Sequence, residues 1–144
     1  MRRKKSGKIR TLLVDDEKSL TSTLSKRFSR RGMEVATASD ATEAFGFLET
    51  CHFNVVVLDL NMPGIDGLQT LKAIKQCFHG VEVIIQTGDG GMAEARMAFH
   101  AGAFDFLFKP VLFNKLIAKI EEAAAHAPPS PSKQDNAYVT MSAR

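Results

Sequence analysis

The stretch that decides the fold is residues 54–60, which read Asn-Val-Val-Val-Leu-Asp-Leu. A continuous run of valine and leucine is typical of a strand that is covered on both faces, as in a parallel sheet. Asp59 directly follows this run, and a carboxylate that only faces solvent does not require such apolar neighbours. The stretch therefore predicts a buried strand that delivers one carboxylate at its carboxyl end.

Similar apolar runs lie on either side of this strand, and each is followed by apolar residues at helical spacing. The predicted strands are residues 9–14, 34–38, 54–58, 81–85 and 103–108. Parallel neighbours require crossover connections, which are right-handed, so the alternation predicts an α/β fold. We predict a flavodoxin-like, open, parallel five-stranded sheet in the order 2-1-3-4-5, with five helices distributed over both faces.

This pattern spans residues 9–126, which we predict to form one domain. Residues 1–8 form a basic arm before it, and a Pro-Pro-Ser-Pro run marks residues 127–144 as a disordered tail or a linker. Residues 1–10 hold six of the 19 basic residues and no acidic residue, so the rest of the chain is net acidic. The domain itself is therefore not expected to bind nucleic acid.

The composition also predicts a location for the chain. No apolar run approaches the roughly 18 residues that cross a bilayer, and the first ten residues lack the apolar stretch of a signal peptide. The two cysteines, Cys51 and Cys77, have no Cys-x-x-Cys spacing, which fits reduced thiols. We therefore expect a cytoplasmic protein without membrane insertion.

Polar residues follow four of the five predicted strands. In an open parallel sheet, ligands bind beyond the carboxyl ends of the strands, where the strand order reverses. The residues that the strands deliver to this edge are Asp15, Asp16, Glu17, Asp59, Thr87 and Lys109. Carboxylates on neighbouring strands offer the oxygen ligands that suit Mg²⁺.

The remaining polar groups indicate a bound phosphoryl group, because a metal site alone needs neither an ammonium nor a hydroxyl. Lys109 and Thr87 supply these two groups, which together with Mg²⁺ would neutralise a phosphoryl dianion. A carboxylate can also act as a nucleophile toward phosphorus, so Asp59 is the candidate acceptor of an aspartyl phosphate.

Four segments resemble the receiver domain of two-component response regulators, and the resemblance runs from about residue 9 to residue 124. The segments are Leu-Leu-Val-Asp-Asp-Glu at 12–17, Val-Leu-Asp-Leu-Asn-Met-Pro-Gly-Ile-Asp-Gly at 57–67, Val-Ile-Ile-Gln-Thr-Gly at 83–88 and Ala-Gly-Ala-Phe-Asp-Phe-Leu-Phe-Lys-Pro at 101–110. The resemblance implies that Asp59 accepts a phosphoryl group from a sensor histidine kinase or a histidine phosphotransfer protein. It implies that Mg²⁺, or Mn²⁺ in its place, is held by Asp15, Asp16, Asp59 and the backbone carbonyl of Asn61.

The same resemblance implies which residues change position when the domain is phosphorylated. Thr87 and Lys109 would contact the phosphoryl oxygens, and Phe106 would turn inward when Thr87 moves toward the phosphate. The peptide bond between Lys109 and Pro110 is expected to be cis.

One loop departs from the commonest family pattern. Gly88 follows Thr87, where many members have alanine, and Asp89 follows Gly88. We predict that Gly88, Asp89 and Asn61 modulate how fast water removes the phosphate.

The sequence leaves open how the phosphorylated domain would pass the signal on. The chain is either a single-domain regulator or the N-terminal fragment of a longer one, such as a DNA-binding regulator with a missing effector domain. Its downstream partner would dock on the fourth helix, fifth strand and fifth helix, and it would be a monomer or a dimer that forms on phosphorylation.

Two other classes compete with this interpretation. A Mg²⁺-dependent phosphohydrolase with an aspartyl-phosphate intermediate places its nucleophile first in an Asp-x-Asp motif after strand 1 and carries a cap, and neither feature is present. A binding module that works without phosphorylation would be expected to have lost one of the polar groups. We therefore expect no enzymatic activity beyond phosphorylation and dephosphorylation at Asp59.

Overall fold

Five strands alternate with five helices in the part of the chain that the computed structural model describes, residues 7–62, 66–88 and 91–127. In chain order they are β1 (Arg10–Val14), α1 (Lys18–Arg30), β2 (Glu34–Ala38), α2 (Ala41–Thr50), β3 (Val55–Leu58), α3 (Gly67–Cys77), β4 (Glu82–Thr87), α4 (Met92–His100), β5 (Asp105–Phe108) and α5 (Phe113–His126). The strands form a sheet in the order β2-β1-β3-β4-β5, and all neighbouring pairs are parallel. The predicted fold and strand order are confirmed.

The central strand β3 is buried on both faces, as its Val-Val-Val-Leu sequence predicts. Val56 and Leu58 belong to a core that is covered by α2, α3 and α4. Val55 and Val57 belong to a second core under α1 and α5. Burying one valine or leucine side chain contributes about 1.5–3 kcal/mol. The strand that leads to Asp59 is therefore stabilised by apolar packing on both of its faces.

Side-chain caps and glycines set the helix ends. The Asp40 carboxylate accepts the backbone N–H of Glu43 at the start of α2, and the Asp66 carboxylate accepts two N–H groups at the start of α3. Gly32 and Gly102 follow α1 and α4 with φ of +85° and +106°, a region that favours glycine. These residues therefore define where α2 and α3 begin and where α1 and α4 end.

The observed strand boundaries lie within two residues of the predicted ones. The main correction concerns β4, which runs two residues further than its apolar pattern and ends at Thr87. Gln86 and Thr87 still pair with Leu107 and Phe108 of β5. The backbone ladder thus continues after the side chains have become polar, and hydropathy alone does not detect this extension.

The predicted ends of the chain are mostly outside the described residues. Residues 1–6 of the basic arm and residues 128–144 of the tail are not described, so the domain boundaries stay predictions. Across the described ranges, none of the helices combines the length and apolar character that a bilayer span requires.

Candidate functional site

Three carboxylates meet at the carboxyl edge of the sheet. Val14 and Leu58 are partners in the register of β1 and β3, so Asp15 and Asp59 follow side by side. Each of Asp15, Asp16 and Asp59 offers a carboxylate oxygen, and these oxygens lie within 4.8 Å of one another. Asp15 and Asp59 are only 5% and 7% exposed. Clustered carboxylate oxygens are the donors that Mg²⁺ and Mn²⁺ take, so the predicted ligand side chains fit such an ion.

Lys109 places its ammonium among these acids. Its Nζ lies 2.7 Å from Asp15 Oδ2, 3.4 Å from Asp59 Oδ2 and 3.8 Å from Glu17 Oε1. Burial alone would lower the pKa of Lys109, but hydrogen bonds and charges from Asp15 and Asp59 outweigh it, and the pKa is raised above its ordinary value. Lys109 therefore stays charged beside Asp59. The contact with Glu17 was not predicted, although that residue follows the acids directly in the sequence.

Backbone donors fix the direction of two of the carboxylates. Asp15 Oδ1 accepts the N–H of Glu17, and Asp59 Oδ1 accepts the N–H of Asn61, both at 3.0 Å. Each contact spans two residues, the local turn that aspartate commonly forms. The second oxygen of each carboxylate is left to face Lys109. The acids are therefore oriented before any ligand arrives.

Thr87 is fully buried at the end of β4, and its hydroxyl is already engaged. Asn61 Nδ2 donates to Thr87 Oγ1 at 2.6 Å, and the Thr87 carbonyl accepts the backbone N–H of Lys109 at 2.8 Å. The Asn61 side chain thus connects the loop after β3 to β4, a link that the sequence does not predict because 26 residues separate the two partners. The role of the Asn61 carbonyl as a metal ligand stays a prediction.

Phe106 lies on the inner side of β5 and is 8% exposed. Its ring packs in the core under α2, α3 and α4 and meets Phe108 edge-on, with ring centroids 5.2 Å apart. The structure therefore has the ring turned inward, and its movement with Thr87 stays a prediction. The peptide bond between Lys109 and Pro110 is cis, as predicted.

The loop after β4 is described only at its start. A Cβ added to Gly88 would meet Lys109 Cβ at 3.8 Å, which is ordinary van der Waals contact, so alanine fits there. Asp89 lies outside the described residues. The modulating roles of Gly88 and Asp89 stay predictions.

Comparison with known proteins identifies the family of this chain. Residues 11–121 match the family model described as the response regulator receiver domain. The chain belongs to the response regulator receiver family. This receiver chain is 34% identical over 114 residues to the DNA-binding transcriptional regulator NtrC of Klebsiella pneumoniae, an alignment that covers 79% of the chain and 24% of NtrC. The receiver chain thus spans about a quarter of the length of that relative.

Solved receiver structures show the same architecture. A CheY-like receiver domain protein from Methanospirillum hungatei superimposes with a TM-score of 0.79 at 27% identity, covering 83% of this chain and 96% of that one. The beryllofluoride-activated NtrC4 receiver domain dimer superimposes with a TM-score of 0.77 at 36% identity, covering 81% and 97% of the two chains. The resemblance drawn from the four sequence segments is therefore confirmed.

Proposed function

We propose that this receiver accepts a phosphoryl group on Asp59 in a two-component phosphorelay. The observation that carries the proposal is the placement of Lys109 Nζ between Asp15 and Asp59, with Thr87 ending the neighbouring strand. One nucleophilic carboxylate, one ammonium and one hydroxyl on three adjacent strands match the needs of phosphoryl transfer. A purely structural edge would have no use for this combination.

In the proposed reaction, a carboxylate oxygen of Asp59 attacks the phosphorus of a phosphohistidine. A bond forms between that oxygen and phosphorus, the bond from phosphorus to the imidazole nitrogen breaks, and the nitrogen keeps the electron pair and takes up a proton. Lys109 holds its charge beside the incoming phosphoryl oxygens, while the N–H of Asn61 keeps the carboxylate in one orientation. Mg²⁺ or Mn²⁺, held by Asp15, Asp16, Asp59 and the Asn61 carbonyl, would offset the charge of the phosphoryl oxygens.

Phosphorylation is proposed to act through Thr87. A phosphoryl oxygen that accepts the Thr87 hydroxyl hydrogen would draw this hydroxyl toward Asp59 and away from the Asn61 amide, which donates to its oxygen at 2.6 Å. Phe106, which packs on the same side of the sheet, would then repack behind Thr87. Shifting a two-state equilibrium from 1:99 to 99:1 takes about 5.5 kcal/mol of differential interaction, which a phosphoryl dianion with its cation is able to supply.

The proposed partners follow from the family. A sensor histidine kinase or a histidine phosphotransfer protein donates the phosphoryl group in the cytoplasm, and the output passes to a downstream protein or to an effector domain beyond this chain. Met97, Phe99 and Phe108 expose 48–52% of their surface on α4 and β5, which suits a protein partner better than nucleic acid. The relative solved as a receiver dimer supports a dimer that forms on phosphorylation.

The lifetime of the phosphoryl group is proposed to depend on Asn61, Gly88 and Asp89. We expect Gly88→Ala and Asp89→Ala to change the rate of dephosphorylation, measured as the loss of added mass after acetyl phosphate is removed. Rates equal to the wild-type rate in both variants would contradict this part of the proposal.

The proposed function is tested by intact mass after incubation with acetyl phosphate and Mg²⁺. We expect a gain of about 80 Da, the mass of one phosphoryl group on a carboxylate, in the wild type and none in Asp59→Asn. The gain should disappear when the metal is removed by a chelator. A folded wild type that gains no mass would favour a binding module that works without phosphorylation, and a gain retained in Asp59→Asn would contradict the choice of acceptor.

A further inference from the structure

A buried glutamine beneath the acidic cluster has no role in the chemistry above. Gln86 is the fifth residue of β4 and is 5% exposed. Its amide carries two donor hydrogens and an acceptor oxygen, and neither atom is among the fully buried, unpartnered ones within residues 7–62, 66–88 and 91–127, so each is either hydrogen-bonded or open to a space that water can reach. Strands of a doubly covered parallel sheet are usually apolar at such buried positions, so a polar side chain here calls for a reason.

The register of the sheet places Gln86 next to the acceptor. Leu58 of β3 and Ile85 of β4 are partners, so Asp59 and Gln86 follow as neighbours. Side chains alternate along a strand, so both belong to the face that is covered by α1 and α5. Asp15 continues the same row on the other side of Asp59. Gln86 therefore flanks the acceptor carboxylate on the side away from Asp15.

A small cavity connects these polar groups. Its volume is about 10 Å³, and its lining includes Asp15, Asp59, Gln86 and, from α1, Thr21 and Leu24. One water molecule needs about this much space and two to four polar partners. Two carboxylates, one hydroxyl and one amide supply those partners.

We propose that Gln86 is a positioning residue for Asp59, acting through one water molecule in this cavity. The amide of Gln86 donates to the water, and the water donates to the Asp59 carboxylate. Asn61 and Lys109 already approach that carboxylate from the loop and from β5. A donor from a third direction limits rotation of the carboxylate, so the attacking oxygen keeps its alignment.

The proposal rests on the proposed phosphorylation of Asp59 and concerns one step of it. The cavity also touches Val14 and Val57, which precede the acids, so it lies on the inner side of the carboxylate. A water there is on the wrong side for in-line attack on a phosphoryl group. Gln86 therefore affects uptake of the phosphoryl group more than its hydrolysis.

The test compares wild type with Gln86→Met, which keeps the length of the side chain and removes its amide. We expect phosphorylation by acetyl phosphate and Mg²⁺, followed by intact mass, to be roughly 3- to 10-fold slower. The melting temperature should change little, because methionine keeps the size of the side chain. Gln76→Met removes an exposed amide from α3 and should leave the rate unchanged.

A spectroscopic measurement separates positioning from packing. The side-chain amide resonance of Gln86, assigned by its absence in Gln86→Met, should move in the wild type when Mg²⁺ and acetyl phosphate are added. An unmoved resonance, or a wild-type phosphorylation rate in Gln86→Met, would overturn the proposal. If Gln86→Met does not fold, the wild-type resonance alone decides. Absence of phosphorylation in the wild type would instead contradict the proposed function.

Discussion

The amino and carboxyl edges of the sheet differ in how many acidic side chains each lysine contacts. At the amino edge, the first residues of β4 and β5 each have a cation of their own. Lys75 Nζ lies 3.5 Å from Glu82, and Lys119 Nζ lies 2.9 Å from Asp105. Lys119 Nζ also lies 3.4 Å from Glu122, and His126 Nδ1 lies 3.1 Å from Glu82, so the acid that begins each of these strands has at least one basic partner.

At the carboxyl edge, one ammonium serves several acids. Lys109 lies within 4.0 Å of Asp15, Asp59 and Glu17, and Asp16 joins the same cluster. Like charges at such distances repel one another, so this edge holds negative charge in excess of what its lysine neutralises. The carboxyl edge thus gathers more acids than its one lysine can pair with, which supports the proposed binding of a cation and a phosphoryl group there.

The largest expected effect comes from breaking the carboxyl edge at Gly67. A Cβ at this position would lie 2.6 Å from the backbone of Leu60, which follows Asp59. We expect Gly67→Ala to lower the free energy of unfolding by about 2–3 kcal/mol, because the start of α3 must move away from the loop. Urea unfolding measures this change.

Gly46 provides the matched control, since a Cβ added there meets nothing within 4 Å. Gly46→Ala lies inside α2 and should raise the free energy of unfolding by about 0.5–1 kcal/mol. Equal effects of the two substitutions on the free energy of unfolding would show that the close approach of Gly67 to Leu60 does not determine stability at this position.

Replacing one lysine at each edge with methionine tests the comparison between the edges directly. Without a divalent cation, Lys109→Met should lower the free energy of unfolding by about 1–2 kcal/mol, because Asp15 and Asp59 lose their shared cation. Added Mg²⁺ should stabilise this variant more than wild type, since no ammonium competes for the carboxylates. Urea unfolding with and without Mg²⁺ gives both values.

Lys75→Met at the amino edge is the counterpart. It should cost less than about 1 kcal/mol and show the same response to Mg²⁺ as wild type. A Mg²⁺ response in Lys109→Met no larger than in Lys75→Met would remove the distinction between the edges.

A buried hydroxyl at the amino side predicts a smaller, stabilising effect. Thr11 Oγ1 in β1 is buried and has no hydrogen-bond partner among the described residues. Thr11→Val should raise the free energy of unfolding by about 1 kcal/mol, because it removes an unsatisfied polar atom without changing the shape. Thr70 is the control, since its buried hydroxyl donates to the Asp66 carbonyl and Thr70→Val should destabilise the protein. Thermal unfolding of both variants checks the two signs.

The smallest expected effect is a pH dependence at His52, before β3. Burial, and then the nearby charge of Arg10, lower the pKa of His52 below 6.5. The unfolded chain therefore binds a proton more readily than the folded chain, and stability is lost as the pH falls from about 6.5 toward the lowered pKa. His52→Gln should flatten this part of the stability curve measured by urea unfolding. A curve with the same slope in the variant would assign the effect to other groups.

The apolar runs predict the fold well because each strand of a doubly covered sheet must be apolar along most of its length. The site was predictable for the same reason, since parallel strands bring Asp15, Asp59, Thr87 and Lys109 to one edge whatever the loops do. The end of β4 was missed because backbone pairing at Gln86 leaves no mark on hydropathy.

Contacts between distant residues were beyond the sequence pattern. The hydrogen bond from Asn61 to Thr87 and the approach of Gly67 to Leu60 depend on distances across the sheet edge, which spacing along one chain does not encode. The buried amide of Gln86 was visible as a polar residue in an apolar run. Its position beside Asp59 became apparent only from the register of β3 and β4 in the structure.

The hydrogen bond between Asn61 and Thr87 also bears on background signalling. In the proposed switch, this bond holds the Thr87 hydroxyl near Asn61 until a phosphoryl oxygen accepts its hydrogen and draws it toward Asp59. A neutral hydrogen bond contributes about 1 kcal/mol, which corresponds to a population ratio of about five. Asn61 would therefore keep the arrangement with Thr87 drawn toward Asp59 about fivefold rarer in unstimulated cells, and the level of output without a signal would depend on this one hydrogen bond.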